Sequence, residues 1–205
     1  MQIRPKKFFK KANLFVTREN ILQKTKSKDG DDLIEIENLI DEHGKAIYNF
    51  CFYLTGNKHD ADDLFQDTFL IALEKAAKID RQGNPKSYLL SIAANLRKNA
   101  VKKNARRNRL APTVETDLSE LYEVADTNSL PEDIVLRKME RDALCEVIDR
   151  LPDSHKIPII LFYREQAKIS EIAVIIKKPE GTVKRLLHEA KGKIKNEMEM
   201  IEYGR

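Results

Sequence analysis

Little in this chain is built to turn. Seven glycines and seven prolines are spread over 205 residues, too few for the frequent reversals of an all-β chain, so long helices are expected. No apolar run approaches the ~18 residues needed to cross a bilayer, and the opening M-Q-I-R-P-K-K-F-F-K-K lacks the apolar core of a signal peptide. These absences predict a cytoplasmic protein with no direct membrane insertion. Cysteine is scarce as well: Cys51 and Cys145 each sit in an apolar helical pattern with no Cys or His at ligand spacing, which favours packing over metal or redox chemistry. His43, His59, His155 and His188 are scattered and never share metal spacing with a second ligand. With no catalytic arrangement either, the expectation is a non-enzyme with no cofactor and no metal.

What the chain does have is charge, sorted into blocks. Apolar residues make up 41% and charged residues 34%, and the length suffices for one core or two small ones. The formal net charge of +4 conceals the sorting. Residues 1–28 hold nine Lys or Arg against one Glu, residues 95–109 hold seven bases and no acid, and residues 111–135 hold seven acids and no base. Basic blocks suit a polyanion; the acidic ones need another explanation.

Apolar spacing predicts the helices. Ile36, Leu39, Ile40, Ile47, Phe50, Cys51 and Leu54 form an i, i+3, i+4, i+7 stripe stopped by Gly56, a helix over 33–55. Asp60 offers an N-cap to a second helix over 61–78, and a loop over 79–85 leads to a third helix starting near Ser87. The acidic stretch with Pro112 and Pro131 lacks periodicity and reads as a flexible linker. Beyond it a helical pattern runs from Ile134 to Leu151, followed by helices over 154–164, 168–176 and 180–200; Pro158 should kink the first of these three or delay its start. The fold class is all-α: two small helical domains joined by an acidic flexible linker, the second a helix-turn-helix. The expected boundaries are a basic, disordered extension over 1–32, a first domain over 33–108, a linker over 109–138 and a second domain over 139–205.

In the second domain, Ile172, Ala173 and Ile176 line the inner face of one short helix, and Val183, Leu186, Leu187 and Ala190 that of the next. Pro179 fits the turn, and Gly181 and Thr182 supply a permissive residue and a hydroxyl cap. Lys184, Arg185, His188, Lys191 and Lys195 are left outward, a cationic face suited to a DNA major groove. In the first domain, D-A-D-D-L-F-Q-D places four aspartates within eight positions. Capping and the helix dipole account for Asp60, Asp62 and Asp63; Asp67 lies beyond the first turn and repels Asp63 at i+4, which points to a partner.

The order L-P-D (151–153), E-I-A (171–173), P-E-G-T-V-K (179–184) and L-H-E-A-K (187–191) resembles the C-terminal DNA-binding domain of ECF-type (extracytoplasmic function) sigma factors of bacterial RNA polymerase. Independently, D-A-D-D-L-F-Q-D-T-F-L (60–70) is similar to the helix with which that family docks on core polymerase, and N-P-K-S-Y-L-L-S-I-A-A-N-L (84–96) to its promoter-melting segment. The resemblance implies that Asp62, Asp63, Gln66 and Asp67 meet core RNA polymerase, and that Asn84, Lys86, Tyr88, Asn95, Lys98, Asn99 and Lys102 meet the minus-ten element. Thr182, Lys184, Arg185, His188 and Lys191 would then read the minus-thirty-five element of double-stranded promoter DNA. It also implies an anti-sigma partner. The chain departs from the family pattern with Lys177 for a usual Gly, Lys168 for Ser, Leu186 and Glu189 for arginines, Asn99 for Asp and Tyr88 for Trp. A stand-alone helix-turn-helix regulator, or an RNA-binding or protein-binding adaptor, would share the cationic helix without needing the aspartate strip.

Overall fold

Residues 30–75, 84–110 and 142–203 are described by the structure, a computed structural model. Among them are seven helices and no strand: α1 (Gly30–Thr55), α2 (Lys58–Glu74), α3 (Pro85–Leu110), α4 (142–150), α5 (Asp153–Tyr163), α6 (Ile169–Ile176) and α7 (Glu180–Tyr203). Residues 1–29, 76–83, 111–141 and 204–205 lie outside the described residues, and with them most of the expected basic extension over 1–32, loop over 79–85 and acidic linker over 109–138.

The α1–α2 junction shows how local chemistry sets the bundle. Gly56 takes the left-handed conformation (φ 75°) that a side chain would resist, and its N–H closes α1 onto the Phe52 carbonyl at 2.9 Å. Asn57, not Asp60, is then the N-cap: its Oδ1 accepts from the Asp60 N–H at 2.8 Å, while its Nδ2 donates to the Asp60 carboxylate at 2.9 Å. Helix α2 therefore starts three residues before the sequence predicts, with Asp60 in its first turn, and ends at Glu74 rather than 78. At α3 the same logic holds. Asn84 accepts from the Ser87 N–H at 3.0 Å and Pro85 opens the helix, where its missing N–H goes unmissed.

The first core is where α1, α2 and α3 meet. Ile36, Ile47, Phe50, Leu54, Phe65, Phe69, Leu89 and Ala93 are fully buried, and full burial of an Ile, Leu or Phe side chain is worth about 1.5 to 3 kcal/mol. Phe65 anchors it, 4.8 Å from the Phe69 ring and edge-on to Tyr48 at 5.6 Å. Cys51 lies in this core, and burial pushes its thiol well above the usual range, an inert packing residue as expected.

The second core joins α5, α6 and α7 through Ile157, Leu161, Ile172, Ile175, Val183 and Ala190. Two details correct the sequence reading. On α6 the buried set is Ile172, Ile175 and Ile176, with Ala173 only half-buried; a run of aliphatic residues leaves the stripe free to rotate by one position. Helix α5 begins at Asp153 despite Pro158, with the His155 and Lys156 N–H groups bonded to the Pro152 carbonyl, so its start is not delayed. Lys156 is buried and is met by the Asp149 carboxylate of α4 at 2.6 Å. The two cores are continuous, because α3 packs on α6 and α1 on α5.

Candidate functional site

The aspartate strip lies on the side of α2 away from Leu64, Phe65 and Phe69. Asp63 and Asp67 are exposed and Gln66 is half-buried. Asp63 lies 3.6 Å from His59 Nδ1. Asp62 differs: half-buried, it accepts a hydrogen bond from the Tyr48 hydroxyl of α1 at 2.8 Å. It ties α2 to α1 as well as ending the strip, a role no local pattern reveals.

Helix α3 and the Asn84 that precedes it carry the seven residues expected at the minus-ten element, and the structure divides them. Asn99 and Lys102 are exposed, Asn95 is half-buried, and Tyr88 packs half-buried against the core. The other three face the second domain. Lys86 Nζ lies 2.6 Å from the Glu165 carboxylate, Asn84 Nδ2 donates to Glu171 at 3.4 Å, and Lys98 Nζ donates to the Ile176 carbonyl at 3.5 Å. Burial, then the ammonium groups of Lys178, Lys102 and Lys177, hold Lys98 below the usual lysine range, with Asp153 opposing. Sequence reasoning missed Arg97, whose Nε lies 3.2 Å from the Asp153 carboxylate.

In the second domain α6, a tight turn and α7 make the helix-turn-helix. Lys168 is the N-cap of α6, yet an ammonium cannot accept a hydrogen bond; only the return half of a cap exists, the Lys168 N–H donating to Glu171 at 2.8 Å. Lys177 ends α6 in the left-handed region (φ 54°, ψ 53°), and the Lys178 N–H bonds the Ala173 carbonyl at 3.0 Å. This is where a glycine is ordinarily favoured. Helix α7 starts at Glu180, and the Pro179 carbonyl accepts from the Thr182 and Val183 N–H groups. Thr182 therefore sits inside the first turn and is not its cap, because Pro179 leads directly into the helix.

Lys184, Arg185, His188, Lys191 and Lys195 are exposed on α7 and Thr182 is half-buried. Three of the cations are engaged, Lys195 lying 3.6 Å from the Glu199 carboxylate. Lys191 Nζ stands 5.5 Å from the Tyr163 ring centroid, and Arg185 donates to Glu189 at 2.8 Å. Glu189 also meets His155 Nε2 at 3.1 Å, and His155 first, then Arg185, hold its carboxyl below the usual range. Tyr53, Leu144, Cys145, Ile148, Ile159 and Tyr163 line an apolar groove of about 490 Å³, with Arg164, Lys191 and Lys195 at its edge. Among the described residues no cluster of His, Cys, Asp or Glu could hold a metal ion, and no helix is long and apolar enough to cross a membrane.

Comparison with known proteins places both halves. Residues 39–107 match the family described as Sigma-70 region 2, and residues 141–194 that described as Sigma-70, region 4. The chain is 27% identical over 179 residues to the ECF RNA polymerase sigma factor SigW of Bacillus subtilis, spanning 86% of this chain and 94% of that one. It is 24% identical over 164 residues to SigX of the same organism, spanning 80% and 83%. A solved structure of the sigma factor RpoE with the anti-sigma factor NepR from Bartonella quintana is similar at a TM-score of 0.66 and 20% identity, covering 80% of this chain and 97% of that one.

Proposed function

The chain belongs to the ECF-type sigma factors, and from that premise we propose how its residues divide the work. An alternative sigma factor binds core RNA polymerase, brings it to particular promoters and helps open the DNA; this is a non-enzymatic initiation factor whose driving force is binding. The first domain, over 33–108, would dock on the core through Asp63, Asp67 and Gln66, with Asp62 completing the strip while tied to Tyr48. The observation that carries the assignment is the outward placement of Asp63 and Asp67 on a helix whose opposite face is filled by Leu64, Phe65 and Phe69.

Melting requires a base to be drawn out of the stack and held, with cations on the phosphates. Asn95, Lys98, Asn99 and Lys102 offer amides and charges along α3, and Asn84, Lys86 and Tyr88 extend that surface to its N-terminal end. The second domain, over 139–205, would read the minus-thirty-five element with Thr182, Lys184, Arg185, His188 and Lys191. Transcription occurs in the cytoplasm, which is where this reading puts the chain. An anti-sigma protein is the expected regulator, and the apolar groove beside Tyr53 and Tyr163 offers it a surface.

Adding the purified chain to core polymerase tests the assignment. Promoter-specific transcription that disappears when Asp63 and Asp67 are both reversed to lysine supports it. Operator binding without any core association would favour the stand-alone regulator.

A further inference from the structure

We propose that His155 of α5 is a positioning residue for DNA recognition: acting through Glu189, it sets how freely Arg185 of α7 turns to promoter DNA, and protonation of its ring favours that release. The proposal rests on the assignment of α7 to the minus-thirty-five element. Three side chains from two packed helices form a row. His155 Nε2 lies 3.1 Å from Glu189 Oε2, and Arg185 Nη1 lies 2.8 Å from Glu189 Oε1, so each carboxylate oxygen serves a different partner. Exposure rises along the row, from 12% for the His155 side chain through 38% for Glu189 to 63% for Arg185. The inner partner is held by packing, and the outer one can reach a groove.

The ring is set to gain a proton without moving. A carboxylate only accepts hydrogen bonds, so Nε2 carries the hydrogen of the neutral ring and Nδ1 accepts from the Ser154 hydroxyl at 3.1 Å. Once protonated, Nδ1 donates to the same hydroxyl, which needs only to turn. An imidazole ordinarily makes this change between pH 5 and 8. Glu189 stays ionised throughout, because His155 and then Arg185 hold its carboxyl below the usual range. The neighbouring charges of α5 are already committed: Asp153 is met by Arg97 and approached by Lys98 of α3, and Lys156 is met by Asp149 of α4.

Two states follow from this geometry. With the ring neutral, Arg185 is the cation that balances Glu189, and the pair resists separation. With the ring charged, two cations divide one negative charge, so the hold on Arg185 weakens and its departure leaves Glu189 facing an imidazolium. DNA binding and proton uptake are thereby linked, and each favours the other.

Fluorescence anisotropy on the full chain tests the proposal, in a His188→Gln background that removes the other imidazole of α7. The probe is a fluorescent duplex that the unaltered chain enriches from a random-sequence library, and affinity is measured at pH 6 and pH 8. Lowering the pH should tighten binding about threefold more in the background chain than after His155→Gln, whose amide can still donate to Glu189 but gains no charge. The same comparison between chains that also carry Glu189→Gln should show no difference. Arg185→Gln changes only an exposed side chain and should lose the same threefold, so the result does not depend on how well His155→Gln folds. The proposal is overturned by full pH dependence in Arg185→Gln, or by a His155 effect that survives Glu189→Gln, since the ring would then act through its charge alone. Lys184→Ala is scored beside these chains. Binding indifferent to it removes α7 as the reading element, whereas binding that it weakens without the pH difference removes this proposal and leaves the sigma-factor reading in place.

Discussion

Arg185 donates to the carboxylate of Glu189 one turn along α7, at 2.8 Å. The family pattern has an arginine where Glu189 stands, so this chain has exchanged a second cation for an acid that restrains the first. If Arg185 meets DNA as proposed, the DNA has to draw it away from that carboxylate. Glu189→Gln is therefore expected to tighten binding to duplex promoter DNA several-fold, whereas Lys184→Ala should weaken it across sequences and flatten the salt dependence by about one unit. Fluorescence anisotropy over a salt series checks both.

Within the aspartate strip proposed to dock on core polymerase, Asp62 also serves the fold. Asp63→Lys with Asp67→Lys should abolish association with core polymerase in a pull-down and leave the thermal unfolding curve in place. Tyr48→Phe, which orphans one side of the Asp62 hydrogen bond, should lower stability by about 1 kcal/mol. Core binding unaffected by the charge reversals would remove α2 as the docking element.

Lys98, set between α3 and the end of α6, gives folding a pH signature. Its proton affinity is lowered in the structure from an ordinary value of 10.5, so between its depressed value and 10.5 the unfolded chain holds more protons than the folded one. Stability must then rise with pH across that window, and below the depressed value Lys98 contributes no slope. Urea unfolding of the parent and of Lys98→Met at pH 8, 9 and 10 isolates the contribution: the parent should gain stability relative to the variant as pH increases.

The turn of the helix-turn-helix holds stability in reserve. Lys177 adopts φ 54°, a conformation that costs a side-chain-bearing residue about 1 to 2 kcal/mol. Replacing it with glycine should stabilise the chain by about 1 kcal/mol after glycine's larger unfolded-state entropy is counted. The readout is the urea midpoint. No gain would mean that the Lys177 side chain itself contributes to the turn.

In the second domain, Asp149→Ala should be the most damaging of these changes. It leaves the buried ammonium of Lys156 without its carboxylate, at a cost of about 2 to 3 kcal/mol. Lys156→Met, which removes the charge rather than its partner, should cost less, and comparing the two by chemical denaturation tests the pairing.

How much of this was legible in the sequence follows from how far apart the interacting residues lie. The helices and the exposure of Asp63, Lys184 and Arg185 are consequences of a 3.6-residue period, and a single strand of text displays that period. The N-cap was misplaced because Asn57 and Asp60 both have capping chemistry, and only the left-handed Gly56 decides between them. The face of α6 was set one residue off because Ile172, Ile175 and Ile176 sit among other aliphatic residues. Tyr48 with Asp62, Lys86 with Glu165 and Arg97 with Asp153 are tertiary pairs, and nothing in spacing or composition announces them.

Helix α3 is one uninterrupted run of 26 residues, which at 1.5 Å per residue makes a rod of about 39 Å. One turn of duplex DNA occupies about 34 to 36 Å. If promoter DNA lies along this rod, Asn84 at one end and Lys102 towards the other engage positions most of a turn apart while remaining fixed in relation to each other. Strand separation at one end and grip on intact duplex at the other then become the work of a single stiff ruler, and the distance from the paired to the unpaired bases is set by the length of a helix.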